Sequence, residues 1–149
     1  SRKELGQVLE LLQSELAAIG VKLNVEVLES TNDVVAAGDY DLDCETGVQA
    51  PTGNAQYFIN LMLVTGGSSN SSHYSNPELD TLAAELEKTV DTDKRTELVR
   101  QMVQMTLDDH AMTVFNHQKM INIYSKNVVN YHTHPSEYYL LDVNTDLVR

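Results

Sequence analysis

The stretch DYDLDCETGVQAPTGNAQYFINLMLVTGGSSNSSHYSNPELD, residues 39–80, decides how this chain is interpreted. It predicts, in succession, a strand, a Pro/Gly turn, a short apolar helix, a polar loop and the start of a capped helix. It contains no phosphate-binding glycine motif, no nucleophile motif and no complete set of metal ligands. The stretch therefore predicts a surface that binds something rather than a reactive centre.

The overall composition excludes several classes of protein. The 149 residues fit one domain and are enough to bury a sizeable core. Twenty-two acidic against ten basic side chains give a formal net charge of −12, which would repel nucleic acid. No apolar run approaches the roughly 18 residues that a membrane-spanning helix needs. Cys44 is the single cysteine, so an internal disulfide is excluded.

Apolar spacing in the first part of the chain predicts a helix followed by strands. Residues 2–19 predict a helix with one apolar stripe, and Gly20 is its expected C-terminal cap. Strict alternation over 21–27 predicts a strand with one buried face, and residues 40–44 predict a second strand. A helix that leads into such a strand is half of a βαβ unit. The strand expected before it is missing, which suggests a longer parent chain.

The second part predicts two capped helices and two further strands. Asn76 is an N-cap with Pro77 at the first helical position, and Asp91 caps the next helix. The apolar stripe of the first of these helices is formed by Leu79, Leu82, Leu86 and Val90. Residues 112–115 and 120–124 predict strands. Because helices and strands interleave, the predicted fold is α/β, with an open mixed sheet that is flanked by helices.

Three histidines are candidates for metal binding. His132 and His134 lie two residues apart, so an extended segment would place both rings on one side, as chelation of Zn²⁺, Ni²⁺ or Cu²⁺ requires. Two ligands are too few for a tight site, and the alternative is a solvated or hydrogen-bonded tail. His73 ends the polar loop, where a single histidine is either a surface residue or one ligand of a metal. No CxxC or HExxH motif completes a set.

The turn, helix and loop from Val48 to Tyr74 form the candidate binding surface. A strand that ends in a flexible turn places backbone amides and aromatic edges at the rim of the sheet, where open α/β sheets bind ligands. Hydrogen-bonding side chains there are supplied by Thr52, Asn54, Gln56, Tyr57 and Tyr74. Tyr57 either contacts a ligand or anchors the short helix in the core, whereas Phe58 is predicted to be a core residue.

Six segments follow one another in an order that is typical of one protein family. They are LQSELAAIGVKLNVEVLE (12–29), GDYDL (38–42), APTGNAQYF (50–58), HYSNPELDTLAAEL (73–86), DKRTELVRQMVQMTLDDHA (93–111) and KNVVNYHTHPSEYYLLD (126–142). In this order they resemble the C-terminal lobe of the family 5 extracellular solute-binding proteins, the peptide- and nickel-binding receptors of ABC importers. The resemblance covers nearly the whole chain.

The resemblance implies one lobe of a type II periplasmic-binding-protein-like fold, in which two lobes close on a solute. Residues 1–128 would form most of the C-terminal lobe, truncated at its N-terminal side, and residues 129–149 a tail that returns toward the hinge and the first lobe. The receptor would lie outside the cytoplasm, either in the periplasm or as a lipoprotein at the outer face of the membrane. It would deliver its solute to an ABC permease, with no nucleic acid as partner.

The same resemblance implies that ligand contacts come from the strand-end turn and from the loop after the short helix. The implied ligand-binding residues are Val48, Gln49, Thr52, Asn54, Tyr57, His73 and Tyr74, and the metal candidates are His73, His132 and His134. The solute would be an oligopeptide or chelated nickel, with no resident cofactor. Peptide-binding members commonly place an Asp in this turn, but no residue from 49 to 56 is acidic. Nickel-binding members can offer a histidine from the loop where His73 lies.

Two other interpretations remain open at this point. A hydrolase would use His73 or His117 with an acidic partner, although no GxSxG or comparable nucleophile motif is present and an enzyme is not predicted. A self-associating module would use the face that the first lobe normally covers. Turnover of a bound solute would indicate the former, and concentration-dependent association the latter.

Overall fold

The computed structural model describes residues 3–47, 50, 51, 53–117, 119, 121–134 and 141–148. The chain divides into two units, residues 1–47 and 48–149. The second unit contains the buried hydrophobic core. None of the helices in the described ranges combines the length and the apolar character needed to cross a bilayer.

The first unit contains the helices α1 (Lys3–Ala18) and α2 (Asn32–Ala37). The predicted first helix is confirmed; it ends at Ala18, and Gly20 lies in the turn that follows, as expected of a C-terminal cap. Gly20 has a φ of +83°, a left-handed conformation that costs glycine little because it has no Cβ. The N–H of Val21 donates to the Leu16 carbonyl at 2.9 Å, which closes the cap.

The two strands predicted for the first unit do not form. Neither residues 21–27 nor residues 40–44 are part of a described strand, and Val27 and Leu42 are exposed. Alternation specifies which face of a segment is apolar, but a strand also needs a neighbour whose N–H and C=O groups complete the ladder. In this unit the Leu23 carbonyl accepts instead from the side chain of Gln13, at 2.7 Å. Both strand predictions were therefore wrong for these segments.

The second unit is built on helices. The short helix α3 (Gln56–Phe58) continues directly into a π-helix (Ile59–Leu63) and is followed by α4 (Pro77–Lys88) and α5 (Thr92–Asp108). These helices enclose one apolar core, formed by Phe58, Ile59, Leu63, Leu79, Ala83, Leu86, Leu98 and Met102. Phe58 is therefore the core residue that the sequence predicts.

The apolar stripe predicted for α4 is correct over most of its length. Leu79 and Leu86 are fully buried, and Leu82 packs against the core while remaining partly exposed. Val90 is the exception, at 92% exposed, so its assignment to the stripe was wrong. The helix ends at Lys88, and beyond that residue the helical spacing no longer determines which way a side chain points.

Both predicted N-caps are confirmed. Asn76 Oδ1 accepts the N–H groups of Glu78 at 3.0 Å and of Leu79 at 3.3 Å, at the start of α4. Asp91 Oδ1 accepts the N–H of Lys94 at 2.8 Å, at the start of α5. Each side chain satisfies backbone donors that have no partner inside the helix, which is why these residue types are recognisable as helix starts.

The sheet of the described residues is small. Strands β1 (Val128–Val129) and β2 (Asp146–Leu147) pair antiparallel, with Val128 opposite Leu147 and Val129 opposite Asp146. The sequence predicts a domain boundary after residue 128, and the pairing of Val128 with Leu147 joins residues from either side of it. That boundary stays a prediction.

The two late strands predicted from alternation are not found. Residues 112–115 and 121–124 are not part of a described strand, and residue 120 lies outside the described residues. Ile121 and Ile123 are 82% and 93% exposed, so the apolar face predicted for this segment has no covering layer among the described residues. The reason is again that alternation does not supply a pairing partner.

Candidate solute-binding site

The turn before α3 is present as the sequence predicts. The N–H of Gly53 donates to the Ala50 carbonyl at 2.9 Å, which closes the bend. Asn54 Oδ1 then accepts the N–H of Gln56 at 3.0 Å, an Asx turn that leads into α3. The side chain of Asn54 is thus fixed by the backbone that follows it.

Arg95, near the start of α5, ties this turn to the end of α4. Its Nη1 donates to the carbonyl oxygens of Leu86 at 2.7 Å and Thr89 at 2.8 Å, at the C-terminus of α4, where helix carbonyls lack partners. Its Nη2 donates to Asn54 Oδ1 at 3.1 Å and to Gln56 Oε1 at 2.8 Å. One half-buried guanidinium therefore holds the turn and the α4–α5 junction together.

An open cleft of about 360 Å³ lies on the turn, α3 and the π-helix. Its lining residues are Asn54, Gln56, Tyr57, Asn60 and Leu61. Tyr57 is 53% exposed, whereas its neighbour Phe58 is buried in the core. The short helix is therefore anchored by Phe58 and presents Tyr57 to the cleft, which excludes the interpretation of Tyr57 as a core anchor.

The π-helix and the loop that follows it are packed backbone against backbone. The N–H of Val64 donates to the Ile59 carbonyl at 3.1 Å, the five-residue spacing of a π-helix. The Leu61 carbonyl accepts the N–H of Ser69 at 2.9 Å. A Cβ at Gly67 would lie 2.4 Å from that same carbonyl oxygen, so only glycine fits without displacing the backbone. The wall of the cleft at Leu61 is thereby coupled to the loop.

A buried asparagine organises this loop. Asn70 is 8% exposed, and its Nδ2 donates to the carbonyl oxygens of Val64 at 3.1 Å and Tyr74 at 2.8 Å. Its Oδ1 accepts from the N–H of Tyr74 at 3.0 Å and from Ser72 Oγ at 3.2 Å. A single amide thus closes the loop from residue 64 to residue 74 and satisfies backbone groups that no strand partner satisfies.

Tyr74 points away from the cleft lining and toward the end of α5. Its phenol donates to Asp109 Oδ2 at 2.6 Å, and Asn76 Nδ2 donates to both the phenol oxygen and Asp109 Oδ2, each at 3.0 Å. Burial, followed by the hydrogen bond to Asp109, raises the pKa of Tyr74. The hydrogen bonds from Tyr74 and then Asn76 lower the pKa of Asp109. The predicted contact of Tyr74 with solute stays a prediction.

The candidate metal ligands lie apart from the cleft lining. His73 is exposed and has a φ of +53°, and its backbone N–H donates to the Asn70 carbonyl at 3.2 Å. His117, His132 and His134 are also exposed. The described part of the chain contains no group of three or more His, Cys, Asp or Glu side chains that could hold a metal ion. The metal roles of His73, His132 and His134 stay predictions.

The structure brings two of the predicted ligand-binding residues, Asn54 and Tyr57, to one cleft, together with Gln56, which the sequence also suggested as a hydrogen-bonding side chain of this surface. Sequence reasoning missed Asn60 and Leu61, because the π-helix that turns them toward the cleft has no recognised sequence signature. It also missed Arg95, which bonds to Asn54 across 41 positions of sequence and so lies in no local motif. Three predicted positions lie outside the described residues, namely Val48, Gln49 and Thr52.

Comparison with known proteins identifies two curated relatives, although no protein-family model matches the chain. The nickel-binding protein NikA of Staphylococcus aureus is 23% identical over 149 residues, which cover 99% of this chain and 30% of that protein. The glutathione-binding protein GsiB of Pectobacterium atrosepticum is 24% identical over 139 residues, which cover 87% of this chain and 27% of that protein. The chain thus spans less than a third of the length of either relative.

A solved structure shares the fold. The crystal structure of NikA from Staphylococcus aureus in complex with Ni(L-His)₂ matches with a TM-score of 0.74 and 21% identity, covering 97% of this chain and 31% of that one. This match confirms the predicted fold class, one lobe of a periplasmic-binding-protein-like fold, although the sheet of the described residues is smaller than expected. This chain is therefore similar in sequence to part of these two binding proteins, and it shares the fold of one of them.

Proposed function

We propose that this chain forms one lobe of the substrate-binding component of an ABC importer. The complete receptor captures an oligopeptide or chelated nickel between two lobes and delivers it to the membrane permease without chemical change. The observation that carries the proposal is the combination of this fold with a pre-ordered, uncharged cleft beside Arg95. The names of the two relatives, a nickel-binding and a glutathione-binding protein, support the same class of solute.

The geometry of the cleft suits reversible binding. Its lining combines three amide side chains with the exposed face of Tyr57 and with Leu61, a mixture that supplies both hydrogen bonds and apolar contact. The cleft is open, so a solute that touches this lobe alone remains largely hydrated. A second lobe that closes over the solute supplies the remaining contacts, and the solute then favours the closed state by contacting both lobes.

Nickel enters this proposal as cargo that arrives with its own chelator. The described residues contain no cluster of three ligands, so in this proposal a chelator supplies ligands that these residues do not. His73, in the loop after the π-helix, is the side chain from this lobe that would add a ligand. The receptor acts outside the cytoplasm, in the periplasm or as a lipoprotein on the outer face of the membrane, and it is not an enzyme.

Calorimetry on the complete protein tests the proposal. Ni²⁺ with L-histidine, Ni²⁺ alone, glutathione and an unrelated tripeptide are titrated separately, and each mixture is then analysed by mass spectrometry. We expect saturable binding of at least one chelate or peptide, with the solute recovered unchanged. Release of a hydrolysis product would overturn the proposal in favour of an enzyme, and lack of binding by every solute would also contradict it.

A pair of variants locates the binding surface. Tyr57→Ala removes the exposed aromatic face of the cleft and is expected to weaken binding about tenfold, as loss of an aromatic contact at a binding surface commonly does. Val90→Ala is the matched control, because Val90 is 92% exposed and does not line the cleft. Equal affinities for the two variants would place the binding surface elsewhere.

A further inference from the structure

Hydrogen bonding to Arg95 determines which way two amide groups of the cleft point. A guanidinium has donors but no acceptor, so the atoms of Asn54 and Gln56 that face Arg95 must be their oxygens. The Asn54 oxygen also accepts the backbone N–H of Gln56, which fixes that amide a second time. Asn54 Nδ2 and Gln56 Nε2 therefore point away from Arg95, and no residue of the described ranges accepts from either NH₂ group.

The electric charge behind these amides is positive. All four acceptors of the Arg95 guanidinium are neutral oxygens, two backbone carbonyls and two side-chain amides. The ion pairs of the described residues are Lys94 with Glu85 and Arg100 with Glu97, so no described carboxylate neutralises Arg95. A half-buried cation without a counter-ion favours a negatively charged group within a few ångströms.

The third amide of the cleft, that of Asn60, is in a different situation. Asn60 Nδ2 donates to Glu87 Oε1 at 3.3 Å, so the donor side of this amide is occupied by an exposed carboxylate of the protein. A negatively charged group of a solute is repelled from Glu87 and attracted toward Arg95. Among the three amides of the cleft, those of Asn54 and Gln56 therefore combine NH₂ donors that bind no described acceptor with a positive charge behind them.

We propose that the part of the cleft formed by Asn54 and Gln56 binds a carboxylate of the solute, through Asn54 Nδ2 and Gln56 Nε2. Arg95 acts as a positioning residue, which orients both amides and supplies the charge behind them. This inference rests on the proposed function, and it names the chemical group that this lobe recognises. A peptide with a free C-terminus and an amino acid that chelates nickel both carry such a carboxylate.

The test compares solutes that differ only at that group. A tripeptide acid is titrated against its C-terminal amide, and Ni²⁺ with L-histidine against Ni²⁺ with L-histidinamide, using the complete protein. The variant is Gln56→Glu, in which a carboxylate oxygen still accepts from Arg95 while the NH₂ donor is replaced by a negatively charged oxygen. Gln101→Glu, on the exposed surface of α5, makes the same change of charge away from the cleft lining.

The unchanged protein is expected to prefer the acid of at least one pair about tenfold or more, the scale of one hydrogen bond to a charged group. Gln56→Glu should remove that preference by weakening binding of the acid alone, and Gln101→Glu should leave it intact. The pair that shows the effect identifies the source of the carboxylate. Equal binding of acid and amide by the unchanged protein would overturn the carboxylate site while the proposed function stands.

Two further outcomes also decide against the carboxylate site. If Gln56→Glu weakens acid and amide alike, with the same melting temperature as the unchanged protein, Gln56 contacts the solute in some other way. If the unchanged protein binds none of the four solutes and does not bind glutathione either, the proposed function fails and the carboxylate site fails with it. These results are distinguishable because the first leaves binding of the unchanged protein intact.

Discussion

The phenol of Tyr74 donates a hydrogen bond of 2.6 Å to Asp109, across 35 positions of sequence. This contact connects the loop that follows the π-helix to the residue that ends α5. Asn76, which caps α4, donates to both partners at 3.0 Å, so three elements meet at one carboxylate oxygen. The end of the loop at Tyr74 is therefore tied to α4 and α5 by contacts that involve no residue of the cleft lining.

This relationship predicts how stability depends on pH. The pKa of Asp109 is lowered in the folded protein from its ordinary value of 3.8. The contribution of Asp109 to folding stability is therefore present above pH 3.8 and is lost as the pH falls below that value. The pKa of Tyr74 is raised from its ordinary value of 10.0. The contribution of Tyr74 to folding stability is therefore present below pH 10.0 and is lost as the pH rises beyond that value. Thermal melting followed from pH 3 to pH 11 measures both losses.

Tyr74→Phe tests that assignment. It should lower the melting temperature by a few degrees near neutral pH and flatten the changes at both ends of the pH range. The substitution removes both the partly buried phenol that titrates at high pH and the hydrogen bond that contributes most to the lowered pKa of Asp109. Tyr57→Phe is the control, since the Tyr57 side chain is exposed and makes no hydrogen bond with the described residues. An unchanged pH profile for Tyr74→Phe would contradict the prediction.

Asn70→Ala is expected to destabilise the protein by about 2–3 kcal/mol, because backbone groups of Val64 and Tyr74 lose their partner in a buried place. Denaturant unfolding measures the free energy. Ser69→Ala, in the same loop, should change it by less than about 0.5 kcal/mol, since Ser69 is exposed and contributes its backbone N–H. Similar losses for the two variants would show that the amide of Asn70 is not what closes the loop.

Gly67→Ala is expected to lower the free energy of unfolding by about 1–3 kcal/mol. The new Cβ would overlap the Leu61 carbonyl oxygen, so the two backbone segments must move apart. Gly6→Ala, inside α1, is the steric control: nothing lies within 4 Å of its Cβ position, and alanine is the better helix former by about 0.5–1 kcal/mol. The two substitutions should therefore have opposite signs in unfolding experiments. A neutral Gly67→Ala would mean that the loop is not packed against the π-helix in solution.

Arg95→Lys and Arg95→Met separate support of the fold from support of the site. Both should destabilise the protein, because neither side chain can donate to four oxygens in the planar geometry of a guanidinium. Arg95→Lys should retain part of the preference for acid over amide solutes because it keeps the positive charge. Arg95→Met should lose it.

The ratio of the two affinities is the decisive measurement for these variants. If the role of Arg95 were purely structural, both variants would bind acid and amide solutes more weakly by the same factor. The ratio of the two affinities would then stay unchanged. Exposed residues of α5 provide the comparison, and Gln101→Ala is expected to change neither stability nor the ratio.

Features that depend on a few neighbouring residues were predictable from the sequence. The caps at Asn76 and Asp91 and the left-handed Gly20 are examples, because a capping side chain or a glycine acts on backbone groups within one helical turn. The turn before α3, with Asn54 accepting from Gln56, belongs to the same class. The family resemblance extended this to the fold, since the order of many local segments carries more information than any one of them.

Tertiary structure alone decided the rest. Val27 and Ile123 lie in segments that alternate like strands but pair with no described strand, and pairing is a property of two segments that one segment cannot encode. Arg95 supports the cleft from behind because folding brings its guanidinium to oxygens that are 6 to 41 positions away. Sequence by itself determined where helices begin and end, because those hydrogen bonds are local. The fold determined which side of each amide faces the cleft, because that choice is made by a partner distant in the chain.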